Sequence, residues 1–176
     1  EDLIYYQSFD RTWLHEVLNS QPLSQVLDLD WDYQICSIQP AVAYNFLVGW
    51  TKEPAISSDL IRQVKGAINE VFLKESQSAV KILEKGLREG NKKEIETSIK
   101  RADKNLKSLN PLIYTPALKE LQEATEGLSV CAKSSGAGGG DCGIALIFDP
   151  VETQTLIERW KEKNIEVIYQ ERMGDS

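Results

Sequence analysis

Lys133-Ser134-Ser135-Gly136-Ala137-Gly138-Gly139-Gly140-Asp141-Cys142-Gly143 is the stretch on which the reading of this chain turns. Five of the chain's eleven glycines lie in it. Glycine lacks Cβ, takes positive φ without strain and lets other groups approach the backbone. Such a run suits a core poorly and suits well a nest of N–H groups facing an anion. Its flanks, Leu128–Ala132 and Ile144–Phe148, are strand-like. The run is therefore expected to be a loop between two strands at the edge of a sheet, where phosphate chemistry can be done. A flexible glycine hairpin without a ligand is the alternative.

Gly138-x-Gly140-x-x-Gly143 formally satisfies the dinucleotide pattern, but that pattern needs a strand before it and a helix after it. An apolar, strand-like run follows here, which excludes a dinucleotide site. The phosphate loop with a Gly-Lys pair fails as well, because no such pair follows. A loop between strands has no helix dipole of its own. Charge stabilisation must come from backbone N–H groups, from Lys133 or from another segment.

Working outward, residues 128–132, 144–148 and 165–170 read as strands, with a helix from the Asp149-Pro150-x-Glu152 cap to about Lys163 between the last two. Upstream, Thr115-Pro116 starts a helix ending near Gly127. Asn91 with Glu94 starts another, with Ile95, Ile99, Ala102, Leu106 and Leu109 on one face, ended by Asn110-Pro111. A helix over about 76–89 puts Ala79, Ile82, Leu83, Gly86 and Leu87 on one side and stops at Gly90. Before it, Ser57 or Ser58 caps a helix with Asp59 in its first turn and a stripe of Leu60, Val64, Ala67, Ile68 and Val71. Residues 33–38 and 43–51 read as strands. Residues 3–9 read as a strand, and Asp10 caps a short helix carrying Trp13, Leu14, Val17 and Leu18. A boundary falls near Pro40, giving segments 1–40 and 41–176. The class is α+β, an antiparallel sheet with a layer of helices.

Composition narrows the function. The chain has 176 residues, 41% hydrophobic and 27% charged, with a formal net charge of -7. That acidity argues against nucleic-acid and anionic-membrane surfaces, though a local phosphate pocket remains compatible with it. No apolar run is long enough to span a bilayer. Cys36, Cys131 and Cys142 lack metal spacing and read as free thiols of a cytoplasmic protein. His15 is the sole histidine, so no Ser-His-Asp set or metal cluster can be assembled. No metal ligand is assigned.

Ser135-Gly136-Ala137-Gly138-Gly139-Gly140 resembles the third motif of the GHMP kinases. The continuation Asp141-Cys142-Gly143-Ile144-Ala145, the segment Leu47-Val48-Gly49-Trp50-Thr51-Lys52-Glu53-Pro54-Ala55 and the ending Tyr169-Gln170-Glu171-Arg172 are similar to the bacterial phosphomevalonate kinases within that family. The resemblance runs from Tyr5 to Arg172. It implies a ferredoxin-like C-terminal domain over 41–176, with 1–40 a remnant of the N-terminal kinase domain. The family's N-terminal lysine motif and its Pro-x-x-x-Gly-x-x-Ser-Ser-Ala nucleotide loop do not occur here. The expectation is thus a C-terminal half that carries no catalytic residue of its own and is inactive alone.

The intact enzyme implied is cytoplasmic. It moves the γ-phosphoryl group of ATP, with Mg2+, onto 5-phosphomevalonate to give 5-diphosphomevalonate. Its partners would be those two small molecules and the N-terminal half; a homodimer is left open. By the same resemblance Ser134, Ser135, Gly136, Ala137, Gly138, Gly139 and Gly140 lie beside the substrate phosphate, with Lys133 as a neutralising charge. Asp141 replaces a glycine common in the family; it binds magnesium, orients Lys133, or only bonds nearby backbone. Lys52, with Ser57 and Ser58 at the helix start, forms a second anion-binding turn; a plain cap with a solvated lysine is the alternative. Other readings are a GHMP kinase with another acceptor, such as mevalonate, and a non-catalytic ferredoxin-like metabolite-binding module.

Overall fold

A computed structural model of the protein describes residues 3–54, 62, 64–136 and 138–174. The chain divides into two compact units, Glu1–Gln39 and Pro40–Ser176. In the first, β1 (Leu3–Gln7) pairs antiparallel with β2 (Gln34–Ile38), Tyr6 opposite Ile35. Between them lie α1 (Arg11–Ser20) and the short α2 (Leu23–Val26). Asp10 caps α1 as expected, its carboxylate accepting from the Thr12 and Trp13 N–H groups. Trp31 packs edge-on to Phe9 and Trp13 and donates its indole N–H to the Val26 carbonyl at 2.8 Å.

The second unit runs β3 (Tyr44–Trp50), α3 (Glu70–Glu89), α4 (Lys92–Leu109), a 3-10 turn (Pro111–Ile113), α5 (Pro116–Glu123), β4 (Val130–Ser134), β5 (Cys142–Ile147), α6 (Pro150–Glu162) and β6 (Glu166–Met173). The sheet order is β4-β5-β3-β6, antiparallel throughout. Two strands flanking the centre and two at the edges, joined by helical crossovers, give the expected ferredoxin-like α+β arrangement.

Local chemistry explains most of the ends. Asn91, Thr115 and Asp149 cap α4, α5 and α6, and prolines follow the last two at the first helical position. Helix α3 begins six residues earlier than its apolar stripe suggested, because the Asn69 side chain accepts from the Phe72 N–H and caps it there. Val71 therefore belongs to α3, and residues 65–67 form a turn. The start of the preceding helix, with Ser57, Ser58, Asp59 and Leu60, lies outside the described residues. Its Val64 is buried with Ile113, Tyr114 and Leu118.

The main core is one face of the sheet. Leu47, Ala145, Ile147 and Val130 meet Leu121 and Ala124 on one side and Leu156, Trp160 and Ile165 on the other. Gly49 and Gly143 stand opposite each other in the register. A Cβ there would come within 2.8 Å of the Trp160 ring and 2.6 Å of Leu121. Their bareness lets the fully buried Trp160 lie on the sheet, with its indole N–H on the Leu121 carbonyl at 3.0 Å. Helix α4 packs against α3 and against the edge strand β4. These contacts fix the β4–β5 hairpin, and the glycine run is its tip.

Candidate functional site

Strand pairing reaches further than the hydrophobic runs. Ser134 is paired with Gly143, and the Ser135 N–H donates to the Cys142 carbonyl at 3.0 Å. Ser134, Cys142 and Gly143 are thus strand residues, and the tip is shorter than the glycine composition implies. Gly138, Gly139, Gly140 and Asp141 have φ of 80, 84, 122 and 64°. Three glycines make that left-handed run sterically allowed, and aspartate is among the side chains that tolerate it.

The second half of the tip is bonded on both sides. The Gly139 N–H donates to the Ile113 carbonyl at 2.8 Å, and the Asp141 N–H to the Glu53 carbonyl at 2.6 Å. The Asp141 carbonyl accepts from both the N–H and the hydroxyl of Thr51, each at 2.8 Å. A Cβ on Gly138 would stand 2.3 Å from the Ile113 carbonyl oxygen, and one on Gly140 2.9 Å from that of Glu53. Ser135 and Gly136 are exposed, and a Cβ on Gly136 would meet nothing within 4 Å. The N–H groups of Gly136, Gly138 and Gly140 have no partner among the described residues. The buried Ser134 hydroxyl has none either. Ala137 lies outside the described residues.

Lys133 feeds this tip. Its ammonium donates to the Ser134 carbonyl. Burial pushes its pKa down, while the Asp103 carboxylate pulls it partly back. A cation taken out of water and given one neutral acceptor gains from an arriving anion. Register places Lys133, Ile144, Val48 and Tyr169 in one row across all four strands, on the sheet face opposite the main core. Trp50 and Cys142 form the next row towards the tip.

Lys52 is brought near, because its turn carries Thr51 and Glu53, which hold Asp141. Its own ammonium reaches the Asn164 side-chain oxygen at 3.3 Å and the Glu166 carboxylate at 3.5 Å. Ser57 and Ser58 lie outside the described residues. The exposed Asp141 carboxylate accepts from the Cys142 thiol at 3.5 Å, whereas the Lys133 ammonium is bonded elsewhere. Among the described residues no group of three His, Cys, Asp or Glu side chains could hold a metal, and no helix is long and apolar enough to cross a membrane.

Sequence reasoning missed the supports. The Tyr114 hydroxyl accepts the Ser134 N–H at 3.2 Å and donates to Asp103. Gln122 donates to Asp103 at 2.7 Å and to the Ala132 carbonyl at 3.0 Å. Lys107 bonds Asp103 and Gln122, both at 2.8 Å, and lies 4.5 Å over the Tyr114 ring. Burial, then the Asp103 hydrogen bond, raises the Tyr114 pKa well above the phenol range, so it stays a hydroxyl. Nothing in the spacing of these residues announces their meeting.

This arrangement offers unpartnered backbone donors, exposed at Gly136 and buried at Gly138 and Gly140, with a desolvated ammonium at their root and a bonded frame beneath. It can hold an anion in a fixed place. A model of the family described as GHMP kinases C terminal matches residues 76–166, a span containing the hairpin and its tip. The phosphomevalonate kinase of Streptomyces sp. (strain CL190) is 30% identical, over 82% of this chain and 41% of its own length. The solved structure of Streptococcus pneumoniae phosphomevalonate kinase in complex with phosphomevalonate and AMPPNP is 46% identical, with a TM-score of 0.91, over 98% of this chain and 52% of that one. A Listeria innocua protein is 28% identical with a TM-score of 0.87, over 96% of this chain and 50% of its own. The chain spans about half the length of these relatives. It belongs to the GHMP kinases and carries their C-terminal domain.

Proposed function

We propose that this chain is the C-terminal part of a cytoplasmic phosphomevalonate kinase. The whole enzyme transfers the γ-phosphoryl group of ATP to the phosphate of 5-phosphomevalonate, giving 5-diphosphomevalonate. The observation that carries this reading is the 46% identity, across nearly the whole chain, to an enzyme whose structure holds phosphomevalonate and an ATP analogue.

Phosphoryl transfer between two phosphates is mainly positioning and neutralisation of charge. The arc Ser135–Gly140 positions the acceptor phosphate through the Gly136, Gly138 and Gly140 N–H groups, with Lys133 supplying charge. Ser134 and Ser135 add hydroxyls. Mg2+ carried on the ATP phosphates would need only one or two carboxylates, and Asp141 would be the one this tip supplies. Residues 1–40 are read as part of the kinase's other domain. Ile4, Tyr6 and Ile35 are exposed on that two-stranded sheet, and a pair of strands needs further packing for stability. The chain alone leaves half a cleft and is expected to give no turnover.

ADP release by the full-length protein, with Mg-ATP and a panel of 5-phosphomevalonate, mevalonate and galactose, tests the reading. Turnover with 5-phosphomevalonate alone is expected. Turnover with mevalonate or galactose instead would reassign the acceptor, and none with any would leave a metabolite-binding module.

A further inference from the structure

The geometry points to Tyr114 as a positioning residue that, with its neighbour Ile113, sets the shape of the acceptor arc. The inference rests on the kinase reading for its substrate and on the structure for its geometry. Consecutive residues grip the two ends of the exposed tip. The Tyr114 hydroxyl holds the Ser134 N–H where the chain leaves β4, and the Ile113 carbonyl holds the Gly139 N–H where it turns back. Between those two points lie Ser135 and Gly136, the exposed positions, and Gly138. The span of the arc is therefore the distance between two groups of a single 3-10 turn and its end.

The hydroxyl is itself fixed. β4 is an edge strand, so the outward Ser134 N–H and Ala132 carbonyl have no strand partner. Tyr114 takes the first and Gln122 the second, and both side chains converge on the Asp103 carboxylate from α4. Lys107 balances that charge. A part-buried polar network with its members bonded favours one geometry, and loss of a member leaves others unpaired. Tyr114 touches no reacting group; it acts through the backbone of Ser134.

Tyr114→Phe in the full-length protein removes the hydroxyl and keeps the ring under Lys107. The expected result is a rise of roughly tenfold in KM for 5-phosphomevalonate, with KM for ATP unchanged. Amide hydrogen exchange should quicken across the 134–139 segment and nowhere else. Asp103→Asn, which keeps an oxygen for the Tyr114 hydroxyl, should show a smaller change in both readouts. A lower melting temperature with unmoved acceptor KM and unmoved exchange at 134–139 would make Tyr114 merely structural and overturn the inference. An Asp103→Asn effect as large as that of Tyr114→Phe would overturn the hydroxyl tie too. If the unaltered protein turns over no acceptor, the kinase reading fails on its own, and the exchange comparison still decides the clamp.

Discussion

The two halves of the glycine run are neighbours in sequence and opposite in use. Ser135 and Gly136 project into solvent, with open space around the Gly136 Cα. Gly138 and Gly140 are buried, hold φ of 80 and 122°, and lie against the carbonyls of Ile113 and Glu53. In the second half glycine is demanded by the protein's own backbone. In the first half nothing among the described residues demands it. This glycine-rich motif is thus two parts in series, a packed hinge and an open turn.

The largest effect should come from the hinge. Gly138→Ala forces a Cβ into the Ile113 carbonyl at positive φ, and about 2–5 kcal/mol of stability should go. Gly140→Ala, facing the Glu53 carbonyl, should cost about 1–3 kcal/mol. Urea unfolding measures both. In the full-length enzyme a displaced arc should lower kcat/KM by about 100-fold. Wild-type stability in Gly138→Ala would show that the hinge gives way, and the contrast between the halves would be lost.

What the sequence disclosed follows the range of the physics. Caps at Asp10, Asn91, Thr115 and Asp149 are contacts within a few residues and were legible. Asn69 is also local, yet the apolar positions Val64, Ile68 and Val71 carried the expected stripe across it. The strands run past the expected ends because Ser134, Cys142 and Gly143 are neither β-branched nor aromatic; their pairing comes from β3 and from the hairpin itself. The glycine run announced a loop between two strands. The partners of its hinge, Ile113 and Glu53, lie far along the chain, as do Tyr114, Asp103 and Gln122. Their meeting depends on how α4 and the 3-10 turn pack on β4, which no spacing encodes.

The strand feeding the tip repeats the contrast between closed and open. Cys131 and Lys133 share one face of β4, two residues apart. Burial, then the Glu96 carboxylate, pushes the Cys131 thiol from 9.0 up to about 12. Lys133, nearer the tip, is pushed down by burial, with the Asp103 carboxylate opposing the shift. The signs of their pH effects are opposite. As pH rises above 9.0 the unfolded thiol loses its proton while the folded one keeps it, so stability falls towards pH 12. Lys133 gives the reverse, a gain as pH rises through its lowered pKa to 10.5. Tyr44, raised to about 12 by burial, acts with Cys131. Between about pH 8 and about pH 10.5 the wild type should therefore lose about 2 kcal/mol more than Cys131→Ala. Equal losses of unfolding free energy in the two proteins, from urea unfolding at both pH values, would mean that α4 does not seal this side of the hairpin.

Gly136→Ala is the smallest change and the most telling about the open half. A Cβ here meets no protein atom within 4 Å, and the residue is not among those with positive φ. Stability should stay within about 0.5 kcal/mol of wild type. The added methyl instead stands beside the N–H that the acceptor phosphate would take. Losing that hydrogen bond should raise KM for 5-phosphomevalonate roughly fivefold and leave KM for ATP alone. A stability loss comparable to that of Gly138→Ala would mean both halves are held by the fold, with no open turn distinct from the hinge. Unchanged stability with unchanged KM would mean that the open half is a solvent-facing turn and that the acceptor is held by Lys133 and the buried glycines. A rise in KM without a change in stability is the one outcome that assigns the exposed glycine to the ligand, because nothing among the described residues calls for glycine there.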